Sequence, residues 1–151
     1  MSGAAPLTAG RKKRRGARFA EGRSGKGEFL RKKADSNHEI EIIAVVGNTV
    51  AGTAGIEAVG TKSKVRHRAE FGISVDREFW GLGIGTALMD ACIECAGNAG
   101  YEQLELNVVA GNTRAVSMYE KAGFVEYGRN TKGFKSRTAG FQELIYMRLE
   151  L

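Results

Sequence analysis

Three glycines alternate over five residues, Gly81, Gly83 and Gly85, in the stretch "FWGLGIGTALM" from Phe79 to Met89. Each costs roughly 0.5–1 kcal/mol relative to alanine inside a regular element, so their density says that main chain, rather than side chain, is wanted there. A glycine loop that runs straight into a helix lets backbone N–H groups converge at the helix N-terminus, where the helix dipole adds partial positive charge. The chemistry that suits such a place is anion binding, above all of phosphate. The stretch is not a Walker loop, because no Gly-Lys-Ser/Thr closes it. Its G-x-G-x-G spacing, with antiparallel strands before it instead of an opening βαβ unit, does not fit a dinucleotide fingerprint either.

Cys92 and Cys95 have the spacing of a redox pair or of half a zinc site. No second Cys or His pair follows, and His38 and His67 lie far off in sequence. Both cysteines fall inside a helical pattern, so they read as reduced thiols in a helix interior. That usage fits a cytoplasmic protein, and no metal is expected.

The elements that must position the glycine loop can be read from periodicity. "EIEIIAVV", Glu39 to Val46, alternates and then becomes a β-branched run, a strand. Gly47-Asn48 is a tight-turn pair, and residues 49–60 return as the second arm of a hairpin. Residues 65–75 form a third strand of the same antiparallel meander. Beyond a loop at 76–82, Ile84, Ala87, Leu88, Ala91, Cys92 and Cys95 recur at helical spacing, and "GNAG" at 97–100 stops that helix. "YEQLELNVV", 101–109, is a further strand with Leu104, Leu106 and Val108 on one face. "GNTRAVSMYEKAG", 111–123, is a helix with Asn112 as its N-cap and Gly123 as its stop. Residues 124–130 and 141–149 read as a final strand pair, joined by a mobile basic loop, "TKGFKSRTAG", at 131–140. The fold class is mixed α/β in the order β-β-β-α-β-α-β-β. A strand, a crossover helix and a strand place one parallel pair in a mostly antiparallel sheet with flanking helices.

A chain of 151 residues favours one domain, and its 42% hydrophobic and 26% charged content places it among ordinary globular proteins. No apolar run approaches the roughly 18 residues of a membrane span, and no apolar stretch follows the basic N-terminus as in a secretory signal. The net charge of +6 is unevenly spread: residues 1–38 hold 11 Lys and Arg against 3 acids, which leaves the remainder at −2. Basicity is thus a property of the N-terminal segment, not of the fold. Residues 1–24 are rich in Gly, Ala, Ser, Arg and Lys, with Leu7 and Phe19 their only large apolar side chains, and are expected to lack regular structure. "RKKRR", 11–15, is either a solvated tail or a contact for RNA, DNA or acidic lipid. "GEFLRKKADS", 27–36, is expected to form a short helix, with residues 25–151 as the folded domain.

Two segments together resemble a known family. "FGISVDREFWGLGIGTALM" and "LNVVAGNTRAVSMYEKAGFVEYG" look like the pyrophosphate-binding motif and the Asn-x-x-Ala-x-x-x-Tyr-x-x-x-Gly-Phe motif of the GNAT superfamily of acyl-CoA N-acetyltransferases. Asn112, Ala115, Tyr119, Gly123 and Phe124 match the second motif. The resemblance covers roughly residues 39–151. Trp80 departs from it, standing where the family usually has Arg or Gln. The N-terminal region departs further, since the family's first strand and first helices are missing or altered here.

The resemblance implies acetyl-CoA as co-substrate, its pyrophosphate on the backbone amides of Leu82, Gly83, Ile84, Gly85 and Thr86. It implies that the backbone of Ile73 and Val75 holds the acetyl carbonyl and pantetheine arm, and that Asn112 touches that arm while capping its helix. Tyr119 would protonate the departing thiolate, a phenol near pKa 10 suiting a thiol near 8.5. The attacking amine must first lose a proton, for which Glu70 is the first candidate base, His67 the second and Glu57 the third. The expected activity is direct acetyl transfer to a primary amine of a small molecule or peptide. The alternative is a catalytically weak module of the same fold whose basic tail binds nucleic acid or the ribosome. A third reading is a fragment that, without its N-terminal strand, is unstable or forms a homodimer.

Overall fold

The computed structural model describes the backbone of residues 8–14, 17–24, 28–36 and 39–151, and the side chains of residues 39–151. The basic run at 11–15 lies outside the described side chains, and so does the nucleic-acid contact expected of it. The meander over residues 39–75 forms as its alternation requires: Glu39–Val46 (β4), Thr49–Ala58 (β5) and Arg68–Val75 (β6). Gly47, with φ 61°, turns the first hairpin. A 3-10 turn (Arg77–Phe79) then leads into helix α1 (Ile84–Asn98). The chain continues through Gln103–Val109 (β7), helix α2 (Thr113–Ala122), Val125–Ser136 (β8) and Gly140–Glu150 (β9). From residue 39 onward the order is the expected β-β-β-α-β-α-β-β.

Three further strands precede β4: Thr8–Arg14 (β1), Ala17–Ser24 (β2) and Glu28–Ser36 (β3). The sheet order is β1-β2-β3-β4-β5-β6-β7-β9-β8, antiparallel throughout except where β6 meets β7. The short helix expected over residues 27–36 is therefore a strand. Its Glu, Leu, Lys and Ala content favours helix locally, but β3 pairs with β4 from Glu28↔Val46 to Ser36↔Glu39 and covers an edge otherwise open. The described backbone of residues 8–24 is likewise extended and paired, where no regular structure was expected. Composition reports on apolar burial and is blind to main-chain pairing.

The core lies between one face of the sheet and both helices. Ile40, Ile42, Ala54, Ile56, Ala69, Phe71, Leu104, Leu106 and Val108 are buried on that face. Ile84, Leu88, Cys92 and Cys95 of α1 are buried against it, the helical stripe expected from their spacing. Full burial of a side chain such as Leu88 contributes about 1.5–3 kcal/mol. The two cysteines are thus core residues.

The expected mobile loop at 131–140 is corrected as well. β8 runs on to Ser136, and Phe134↔Gln142, Lys135↔Phe141 and Ser136↔Gly140 extend the hairpin almost to its tip. The ammonium groups of Lys132 and Lys135 lie 5.1 and 5.0 Å from the Phe141 ring centroid, and Ser136 Oγ accepts the N–H of Thr138 and of Ala139 in the turn. These cross-strand contacts are invisible to local periodicity.

Candidate active site

The glycine stretch builds a helix N-terminus without a side-chain cap. Gly81 and Gly83 have φ of 80° and 79°, a left-handed conformation that other residues adopt only with strain. Gly83 is the N-cap of α1, and no side chain bonds to the first turn. The first helical bond is made by Ala87 N–H to the Gly83 carbonyl at 3.0 Å, which leaves the N–H groups of Ile84, Gly85 and Thr86 without intrahelical partners. They open on a groove of about 600 Å³. Leu82 lies in the same loop with an exposed side chain but does not line the groove.

One wall of the groove is β6. The parallel pairing of β6 with β7 has only three register positions, Arg68↔Gln103, Ala69↔Leu104 and Glu70↔Glu105. Beyond them the strands part, and Ile73 and Val75 line the groove on the side left open. The Val75 carbonyl accepts the indole N–H of Trp80 at 2.9 Å.

The opposite wall is α2. Asn112 caps it, its side chain accepting the Ala115 N–H at 3.3 Å, and Gly123 ends it at φ 103°. Tyr119 also lines the groove, is 7% exposed, and packs its ring against Phe71 and Phe124. Burial pushes its phenol above the ordinary value, so it is protonated throughout the neutral range.

A second cavity, of about 480 Å³, is a trough lined by Glu39, Glu41, Glu57 and Glu70, with Gly55, Gly72 and Phe71 among its other walls. Glu39↔Glu57 and Glu57↔Glu70 are register partners, so three strands bring their carboxylates into one row. Asn107 Nδ2 donates to Glu70 Oε1 at 3.4 Å. Phe71 alternates with Glu70 along β6, so its ring packs on the core face, where it meets that of Tyr119, while Glu70 faces the trough on the other side of the sheet.

Ile73, Val75, Gly83, Ile84, Gly85, Thr86, Asn112 and Tyr119 thus come together around one groove. Glu70 and Glu57 do not join them but share the trough. His67, at the foot of β6, lines neither cavity, and its carbonyl accepts the N–H groups of Glu102 and Gln103. Sequence reading missed Arg114, Met118 and Lys121 as groove residues. Their signal was their own i, i+4, i+7 spacing, which puts the three on one helical face. Among the described residues the charge is segregated: the groove lining includes Arg114 and Lys121 and no acid, whereas the trough lining includes four Glu and no Lys or Arg. Among the described residues no cluster of His, Cys, Asp and Glu is placed to hold a metal ion, and no helix is long and apolar enough to cross a membrane.

Comparison with known proteins follows the same lines. The L-amino acid N-acetyltransferase AaaT of Escherichia coli (strain K12) is 31% identical over 108 residues, 71% of this chain and 65% of that protein. The chain spans 17% and 49% of two other curated relatives, so it covers less than two thirds of each of the three. An acetyltransferase of the GNAT family from Streptococcus pneumoniae superimposes with a TM-score of 0.73 at 29% identity, over 77% of this chain and 69% of that one. The YncA acetyltransferase structure from Salmonella typhimurium, solved with its cofactor acetyl-CoA, shares the fold: TM-score 0.70 at 17% identity, over 76% and 66% of the two chains. The profile of the Acetyltransferase (GNAT) family matches residues 13–124, well over half of the sequence, and the chain belongs to that family.

Proposed function

We propose that the chain is an N-acetyltransferase that moves the acetyl group of acetyl-CoA directly to a primary amine. The observation that carries this is the pair of cavities that β6 lines: a basic groove at an uncapped helix N-terminus, and a trough with four carboxylates among its described residues. The groove suits the anionic, phosphate-bearing co-substrate, because the amides of Ile84, Gly85 and Thr86 point at its phosphates beside Arg114 and Lys121. Gly83 completes the groove side of the loop around the pyrophosphate, and Leu82, which does not line the groove, would contribute at most its main chain. Ile73 and Val75 offer main-chain groups to the pantetheine arm where β6 has lost its strand partner, and Asn112 sits beside the same arm.

The trough suits a cationic acceptor. An amine is an ammonium ion at neutral pH, and a row of carboxylates both attracts it and offers a proton acceptor. Glu70 lies on β6, the strand that lines both cavities, and is held by Asn107, so it is the first candidate to take the proton, with Glu57 beside it. The amine nitrogen then bonds to the acetyl carbon as the carbon–sulfur bond breaks. Tyr119 gives its proton to the leaving sulfur.

The test is thioester loss from acetyl-CoA by the purified chain across amino acids, polyamines and peptides with a free N-terminus. Turnover of any of these amines, reduced by Tyr119→Phe, supports the reading. Acetyl-CoA binding with no turnover on every amine overturns it.

A further inference from the structure

Trp80 stands directly before Gly81 at the start of the glycine loop, and it brings no charge of its own. Two guanidinium groups nevertheless lie over its indole: Arg114 Cζ is 4.7 Å and Arg77 Cζ 5.4 Å from the ring centroid. A ring face holds a guanidinium through its quadrupole and leaves the N–H edge open to an anion. Among the described residues neither arginine is paired with a carboxylate. Arg77 comes from the 3-10 turn and Arg114 from the first turn of α2, while the indole N–H is fixed to the Val75 carbonyl. One side chain thus ties together the end of β6, the 3-10 turn and α2, directly before the left-handed Gly81 and Gly83.

We infer that Trp80 is a positioning residue for phosphate recognition. It holds Arg114, which lines the groove, and Arg77 on the same ring, where they bind the phosphates at the nucleotide end of the acyl carrier. This rests on the acyl-CoA reading of the groove. An arginine merely lying in solvent would not give the same result, because its flexible side chain loses more freedom on binding an anion.

The experiment is calorimetric titration of the full chain with coenzyme A at low and high salt, for the wild type, Trp80→Leu, Trp80→Phe, Arg114→Met and the Trp80→Leu/Arg114→Met pair. Trp80 is the only tryptophan, so its emission gives a second binding readout in the wild type and in Arg114→Met. Trp80→Leu and Arg114→Met are each expected to weaken binding about tenfold and to flatten its salt dependence. The pair should be no weaker than about the worse single variant, because both changes remove one interaction. Trp80→Phe, which keeps a ring face, should recover most of the affinity. Wild-type binding that Trp80→Leu leaves unchanged, or losses that multiply in the pair, would overturn the inference while leaving the acyl-CoA reading intact. A wild-type chain that does not bind coenzyme A would remove that reading, and this inference with it. Should Trp80→Leu fail to fold, the salt dependence of Arg114→Met and the recovery in Trp80→Phe still decide the matter.

Discussion

Arg68 and Glu105 close a two-toothed ion pair across the junction of β6 and β7, Nε and Nη2 each donating to one carboxylate oxygen at 2.5 Å. Glu105 is the β7 partner in the last register position before the two strands part. The pair therefore holds the foot of the opening that Ile73, Val75 and the groove occupy. Its side chains differ in exposure, 34% for Arg68 and 9% for Glu105, so removing the arginine's partner leaves a half-wet cation, not a buried one.

Glu105→Gln is expected to destabilise the fold by about 1–2 kcal/mol, the range for a partly screened hydrogen bond to a charged group. The hydrogen bonds from Arg68 hold the Glu105 carboxyl below its ordinary pKa. A depressed carboxyl contributes stability that is fully present above the unfolded value, near pH 4, and is lost as pH falls through the lower folded value. Urea unfolding followed from pH 7 to acid should show this loss in the wild type and a flatter profile in Glu105→Gln.

Tyr119→Phe keeps the ring that packs on Phe71 and Phe124 and removes only the hydroxyl. Coenzyme A affinity should be unchanged and kcat should fall about a hundredfold, the loss expected of a general acid. Burial raises the phenol pKa, so the high-pH decline of wild-type kcat should be displaced upward from that of an ordinary tyrosine. A kcat–pH profile of the wild type beside the variant checks both statements.

Much of this arrangement was legible in the sequence, and the remainder failed for identifiable reasons. Ile84, Leu88, Cys92 and Cys95 announce α1 because a helix repeats its own face, and Asn112 and Gly123 mark the ends of α2 by local chemistry alone. The strand at 28–36 was hidden because its residues favour helix locally, and only pairing with β4 overrides them. The strand around Phe134 depends on Lys132 and Lys135 meeting Phe141 across a turn. The carboxylate row needs the registers of β4, β5 and β6 before Glu39, Glu57 and Glu70 become neighbours, which no single segment reveals. Arg114 and Lys121 become groove residues only because α2 walls the groove, which the segment alone does not reveal.

Gly83→Glu should abolish coenzyme A binding, with affinity falling at least a hundredfold, because a carboxylate then faces the amides proposed to hold phosphate. The backbone there has φ 79°, so any side chain also adds strain of about 1–2 kcal/mol. Gly83→Asn separates the two effects, since asparagine tolerates the left-handed region and carries no charge. It should keep near-wild-type thermal stability and lose far less affinity than the Glu variant in the same titration.

Glu70→Gln and Glu57→Gln distinguish the two carboxylates of the trough. If Glu70 takes the proton from the amine, Glu70→Gln should lower kcat about a hundredfold or more and remove the acidic limb of the pH–rate profile. Glu57→Gln should raise KM for a cationic acceptor and leave that limb in place. Equal loss of kcat in both variants would assign the trough a purely electrostatic role.

Asn112 has two duties that one substitution can separate. Its side-chain oxygen caps α2 through the Ala115 N–H, and it lines the groove. Asn112→Ala should lose the cap, about 1 kcal/mol of stability, and with it some coenzyme A affinity through a frayed helix start. Asn112→Asp keeps an acceptor for Ala115 and is equally good at a helix N-cap, so thermal stability should stay near that of the wild type. Its negative charge beside Arg114 and the arm-binding groove should nevertheless weaken coenzyme A about tenfold if the amide touches the ligand. Affinity retained in Asn112→Asp and lost in Asn112→Ala would reduce Asn112 to a cap and move recognition of the arm to the main chain of Ile73 and Val75.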